Sequence, residues 1–128
     1  MAAKSITAEA RGPILLVDDN AETRQVLERI LAMKGYPSVT ARSGEEALAY
    51  LRGGGRPSAI VLDIRMPGMD GTSVRAALAA DPALAGIPVV VFTADPEVTL
   101  PDVVANVRKA SDPDILLDAI AAACAKPS

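Results

Sequence analysis

What most constrains this chain is a series of short apolar runs, each followed by a stretch with helical periodicity. Ile14-Leu-Leu-Val17, Ala59-Ile-Val-Leu62 and Val89-Val-Val-Phe92 contain no polar residue. They have strand length and no alternation, so they read as strands covered on both faces. Ser38-Val-Thr-Ala41 is a further short strand, and Val103 to Arg108 a weaker fifth. The first helix starts at about Asn20, an N-cap, with Val26, Ile30 and Met33 on one apolar face beside Leu27 and Leu31. Gly35 stands where a helix C′ residue belongs, and Pro37 blocks resumption. Ser43-Gly-Glu-Glu46 has capping-box spacing and opens a second helix, ended by Gly53-Gly-Gly55. A third follows the turn Met66-Pro-Gly-Met-Asp-Gly71, with Asp70 as its cap, and runs to about Ala80. The last runs from Asp114 to Ala123, with Ile115, Leu116 and Ile120 toward the core.

Strands and helices alternating at this spacing imply right-handed βαβ units. The fold class is therefore α/β, a doubly wound five-stranded parallel sheet with helices on both faces. A length of 128 residues fits one domain. It is expected over residues 13–126, after a flexible tail over residues 1–12 and with no output domain. Half of the residues are apolar, and Phe92, Tyr36 and Tyr50 are the aromatic ones. The core must be packed from Val, Ile, Leu and Ala.

Composition removes several function classes. The chain contains no histidine, so a phospho-histidine carrier, a His-ligated zinc site and Ser-His or Cys-His pairs are excluded. A formal charge of −3 gives no electrostatic reason to bind nucleic acid or an anionic membrane. No apolar run approaches the roughly 18 residues of a membrane span, and no secretory h-region precedes Pro13. Cys124 is a lone cysteine, which rules out an internal disulfide and suits a cytoplasmic location.

Open parallel sheets form sites at the carboxyl ends of their strands. Here strand one ends in Asp18-Asp19, strand three in Asp63, strand four in Thr93 and strand five in Lys109. Two carboxylates about 4 Å apart repel by roughly 4 kcal/mol at an effective dielectric near 20. Three together require a cation or raised pKa values. Oxygen ligands without His or Cys select a hard ion, and a few carboxylates with open water positions suit Mg²⁺ better than a full Ca²⁺ cage. A metal beside Asp63, with Lys109 and Thr93 opposite, is an arrangement for phosphoryl transfer with Asp63 as nucleophile. The chain has no Gly-rich loop of the G-x-x-x-x-G-K type, so another molecule must supply the phosphoryl group.

Ile14-Leu-Leu-Val-Asp-Asp19, Val61-Leu-Asp-Ile-Arg-Met-Pro-Gly-Met-Asp-Gly71, Val91-Phe-Thr-Ala94 and Arg108-Lys109 resemble the CheY-like response-regulator receiver family from about Pro13 to Ala123. The resemblance implies the flavodoxin-like strand order 2-1-3-4-5. It also implies Asp63 as phosphorylation site and Mg²⁺ on Asp18, Asp19, Asp63 and the Arg65 backbone carbonyl. Thr93 and Lys109 would bind the phosphoryl group. A histidine kinase or histidine phosphotransfer protein would be the donor, a downstream target protein a further partner. The role is that of a single-domain switch, shuttle or sink, not a classical enzyme.

Three departures lie in the last third. The interval from Thr93 to Lys109 is short by about one or two helical turns, and Asp95 to Asp102 holds two prolines. The family's fourth helix is therefore expected to be missing or reduced to a turn. Asn106 stands where the family has its aromatic switch, and Ala110 where it has a proline. A non-proline cis bond costs about 2.5–4 kcal/mol, so the Lys109–Ala110 bond is expected to be trans. These departures keep open a degenerate receiver that binds a partner constitutively. A haloacid-dehalogenase-like aspartyl-phosphate hydrolase fits less well, because Asp18 and Asp19 are adjacent where that class alternates its acids.

Overall fold

The computed structural model describes residues 12–95 and 97–125. Five strands and four helices follow one another as β1 (Ile14–Val17), α1 (Ala21–Met33), β2 (Ser38–Ala41), α2 (Gly44–Arg52), β3 (Ala59–Leu62), α3 (Gly71–Ala80), β4 (Val89–Thr93), β5 (Ala105–Arg108) and α4 (Pro113–Ala125). The strands form one parallel sheet in the order β2-β1-β3-β4-β5. This is the doubly wound α/β fold expected from the alternation of elements.

Period-two geometry divides the core into two layers. Leu15, Val17, Ile60, Leu62, Val89 and Val91 face α2 and α3, packing on Leu48, Leu51, Val74 and Leu78. Ile14, Leu16, Ala59, Val61 and Val90 face α1 and α4, packing on Leu27, Leu31, Leu116 and Ile120. β1 and β3 are buried at every position, as their unbroken apolar sequence requires.

The local signals act as expected at most element ends. Thr23 N–H donates to Asn20 Oδ1, Glu46 N–H to Ser43 Oγ, and Ser73 N–H to Asp70 Oδ1. Each satisfies an orphan donor of a first helical turn. Gly35 takes φ 84°, the left-handed conformation of a helix C′ position.

Several expectations need correction. Val26 and Met33 are 50% and 79% exposed, so α1 presents Leu27 and Leu31 to the core instead. Ile115, 51% exposed, likewise lies outside the core stripe of α4. β5 begins at Ala105, not Val103, and α4 extends one residue earlier and two later than its periodicity indicated. Of the expected tail, residues 1–11 lie outside the described ones, while Gly12 accepts a hydrogen bond from the Ser58 hydroxyl at 2.6 Å.

Between β4 and β5 no helix forms among the described residues. This segment is held by other means. Leu100 is buried in the α2/α3 layer with Leu84, Val89 and Val91. Asn106 closes a double hydrogen bond on its backbone: Leu100 N–H donates to Asn106 Oδ1 at 2.9 Å, and Asn106 Nδ2 donates to Leu100 O at 3.1 Å. Arg75 of α3 donates to Asp102 O. Asn106, in the place of an aromatic switch, thus spends its side chain on anchoring the chain. The Lys109–Ala110 bond is trans, as are all peptide bonds among the described residues.

Candidate functional site

The site is built where the apolar strand runs stop. Asp18 follows β1 with its N–H on Ala41 O, and Asp63 follows β3 with its N–H on Val17 O at 2.9 Å. The backbone ladder therefore extends one residue past each strand and brings both side chains to one rim. Asp18, Asp63 and Thr93 are buried, only 3%, 5% and 3% exposed, whereas Asp19 is exposed. The α3 turn beneath Asp63 is tight. Gly71 N–H donates to Ile64 O at 2.8 Å, and a Cβ on Gly71 would lie 2.5 Å from Asp63 O.

Carboxylate oxygens of Asp18, Asp19 and Asp63 all lie within 4.8 Å of one another. Lys109, the residue after β5, is positioned by its own N–H, which donates to Thr93 O at 2.8 Å. Its Nζ sits 2.7 Å from Asp18 Oδ2 and 3.4 Å from Asp63 Oδ2. Thr93 Oγ1 accepts from Asp95 N–H at 3.2 Å, which leaves the hydroxyl proton free to be donated elsewhere. The structure therefore gathers four residues named from the sequence, Asp18, Asp19, Asp63 and Lys109, and sets Thr93 at the end of the strand next to β3.

Burial, reinforced by the neighbouring Asp18 charge, raises the Asp63 carboxyl to about 6, against the lowering effects of Lys109 and the Arg65 N–H. Burial would lower the Lys109 ammonium, but its close ion pair with Asp18, with the Asp63 charge behind, raises it overall.

The donor set fits a hard divalent cation. It offers oxygen alone, from three carboxylates on one rim. Asp18 Oδ1 accepts from Asn20 N–H at 2.9 Å. Asp18 Oδ2 is buried with no donor aligned for a hydrogen bond, although the Lys109 ammonium is close enough for an ion pair. An oxygen left in that condition is open to a cation.

The exposed guanidinium of Arg65 forks onto Asp95 Oδ2 from Nε at 3.1 Å and Nη2 at 2.6 Å. The Glu97 N–H, then this Arg65 contact, holds the Asp95 carboxyl below its ordinary range. Asp95 and Arg24, which donates to Asp18 O, were not singled out in the sequence. Neither lies at an end-of-strand position: the loop after β4 brings Asp95 to the rim, and the first turn of α1 brings Arg24.

A model of the response regulator receiver domain matches residues 14–120. The chain belongs to this receiver family. It is 34% identical over 106 residues to the DNA-binding response regulator MtrA of Mycolicibacterium paratuberculosis, covering 83% of this chain and 44% of that protein. It is 39% identical over 89 residues to the probable transcriptional regulator ycf27 of Guillardia theta, covering 70% of this chain and 34% of the relative. The receiver thus spans about a third to less than half of the curated relatives it matches. Among solved structures, the signal receiver domain of a signal transduction histidine kinase from Syntrophus aciditrophicus superposes with a TM-score of 0.80 at 27% identity, over 91% of this chain and 94% of that one. The Vibrio cholerae chemotaxis protein CheY4 gives 0.77 at 26% identity, over 88% and 98%.

The receiver assignment accounts for the strand order, the acid cluster and the M-P-G-M-D-G turn together. One expectation loses its support. The net charge gave no reason for a nucleic-acid partner, yet MtrA is named a DNA-binding regulator, so the exclusion does not stand. No helix among the described residues is long and apolar enough to cross a membrane.

Proposed function

We propose that this receiver accepts a phosphoryl group on Asp63 from a phospho-histidine donor, a histidine kinase or a histidine phosphotransfer protein, as part of a two-component phosphorelay. The observation that carries the reading is the convergence of the Asp18, Asp19 and Asp63 carboxylates within 4.8 Å, with Lys109 Nζ bridging Asp18 and Asp63. An Asp63 oxygen forms the new bond to phosphorus while the bond from phosphorus to the donor imidazole nitrogen breaks. The imidazole, already protonated on its other ring nitrogen, leaves as the neutral base. Lys109 offsets charge on the phosphoryl oxygens, and Thr93 donates its free hydroxyl proton to one of them.

Asp18, Asp19, Asp63 and the Arg65 carbonyl would hold Mg²⁺, which when bound neutralises charge on the phosphoryl oxygens. Each chain takes up one phosphoryl group, so the protein is a stoichiometric acceptor in the cytoplasm and not a turnover enzyme. Acting on a downstream target, it serves as a switch; passing the group onward, as a shuttle or sink.

Incubation with a small phosphodonor and Mg²⁺, followed by a phosphate-affinity gel, tests the proposal. Wild type should shift and Asp63→Asn should not. Equal migration of the two would remove phosphoryl acceptance and favour the constitutive binding module.

A further inference from the structure

We infer that Arg24 is a positioning residue for the cation site, its guanidinium fixing the peptide that joins the two ligands Asp18 and Asp19. The inference rests on the proposed Mg²⁺ site and names a residue outside its ligand set.

Arg24 lies at the start of α1, half-buried, and its Nη1 donates to Asp18 O at 2.7 Å. That carbonyl belongs to the Asp18–Asp19 peptide, so the contact sets the plane from which both carboxylates project. The other polar groups of Asp18 are already assigned. Its N–H donates to Ala41 O at 3.1 Å and its Oδ1 accepts from Asn20 N–H at 2.9 Å, which leaves Oδ2 as the oxygen without an aligned donor. Arg24 is fixed in its turn, because its backbone N–H closes the first helical bond to Asn20 O at 3.1 Å. The cap residue and the guanidinium together tie the acid loop to α1 from two sides. Asp19 is exposed, so the peptide plane matters most for this ligand.

The alternative role of Arg24 is that of a nearby positive charge, and it predicts the opposite sign. A guanidinium close to a cation site repels the cation, so removing it would tighten Mg²⁺ binding. Removing a positioning contact weakens binding, since outer-shell partners of metal ligands typically account for about 10–100-fold in affinity.

The test is Mg²⁺ titration of the full chain by isothermal calorimetry, with thermal melts to establish folding, for wild type, R24M and R24K. R24M keeps the stem and loses donors and charge, and its Mg²⁺ dissociation constant should rise by about tenfold, the lower end of that range. R24K keeps the charge on a shorter stem with a single-point donor, and should bind several-fold more weakly than wild type. Should R24M fail to fold, R24K carries the test. Unchanged or tighter Mg²⁺ binding in the folded variants overturns the inference and leaves the proposed function standing. Absence of Mg²⁺ binding to wild type removes both.

Discussion

Replacing Lys109 with methionine keeps the aliphatic stem and removes the charge that the acids share. At 2.7 and 3.4 Å, its attractions to Asp18 and Asp63 amount to roughly 6 and 5 kcal/mol at an effective dielectric near 20. Most of this is offset by desolvation of the ammonium, on a side chain that is only 22% exposed. What the substitution leaves is two buried carboxylates without a counter-charge, a defect that typically costs about 3–5 kcal/mol. For a domain of this size the melting temperature should fall by roughly 10–25 °C at pH 7 without divalent cation. The pH dependence fixes the cause. Asp63 has its carboxyl raised to about 6, so in the native state its charge is unfavourable, and stability is lost as pH rises through that value. Lys109 opposes this shift, so in K109M the loss is larger and extends to higher pH. At pH 5 Asp63 is mostly protonated in both proteins and the stability gap should narrow. Mg²⁺ should also narrow it, since the ammonium and the ion compete for Asp18 Oδ2. Melts at pH 5 and 7, with and without Mg²⁺, provide the comparison. A K109M protein as stable as wild type at pH 7, or a gap that neither acid nor Mg²⁺ reduces, would refute the reasoning.

Mg²⁺ binding should be flat above pH 7 and weaken below about 6, by up to tenfold per pH unit, because the Asp63 proton and the ion exclude each other; calorimetric titrations at several pH values check this. Gly71→Ala should cost about 1–3 kcal/mol and impair phosphoryl acceptance, because the new Cβ would meet the backbone at Asp63 O and Ile64 Cα, 2.5 and 2.6 Å away. Urea unfolding and the phosphate-affinity gel report the two effects, and a fully stable, active variant would contradict the packing described. Asn106→Ala removes both hydrogen bonds to Leu100 and should cost about 1–3 kcal/mol, with faster amide hydrogen exchange concentrated in residues 98–104. Uniform exchange across the domain would show that Asn106 does not anchor this segment.

Much of this architecture was legible because two simple periodicities rarely conflict here. β1 and β3 are apolar at every position and buried at every position, and the residues that interrupt them, Asp18 and Asp63, are those at the rim. Caps were equally readable, since Asn20, Ser43 and Asp70 act within three residues of themselves. The misreadings of helix burial share one cause. Val26, Met33 and Ile115 fit the apolar stripe of their helices, but periodicity cannot say where a neighbour stops covering that stripe. Arg65–Asp95 and Asn106–Leu100 were unreadable for a different reason. Both depend on how the segment between β4 and β5 crosses the sheet edge, and no local pattern encodes that path.

The acid cluster is the one place where local reasoning and stability disagree, and the disagreement is informative. A strand end would be more stable with one capped acid than with three that repel each other, and Lys109 relieves the repulsion at only two of them. Asp19 stays exposed and uncompensated while Asp18 Oδ2 is buried without an aligned donor. A fold selected for stability alone would remove both conditions with single substitutions. Departures at Asn106 and Ala110 leave this cluster untouched, because Lys109 reaches it through the Thr93 backbone carbonyl and not through the residues that differ. The chemistry at the rim and the anchoring of the segment from Asp95 to Val104 are therefore separable. N106A should change the second while Mg²⁺ affinity stays within about twofold of wild type. A large loss of Mg²⁺ binding in N106A would show the two to be coupled.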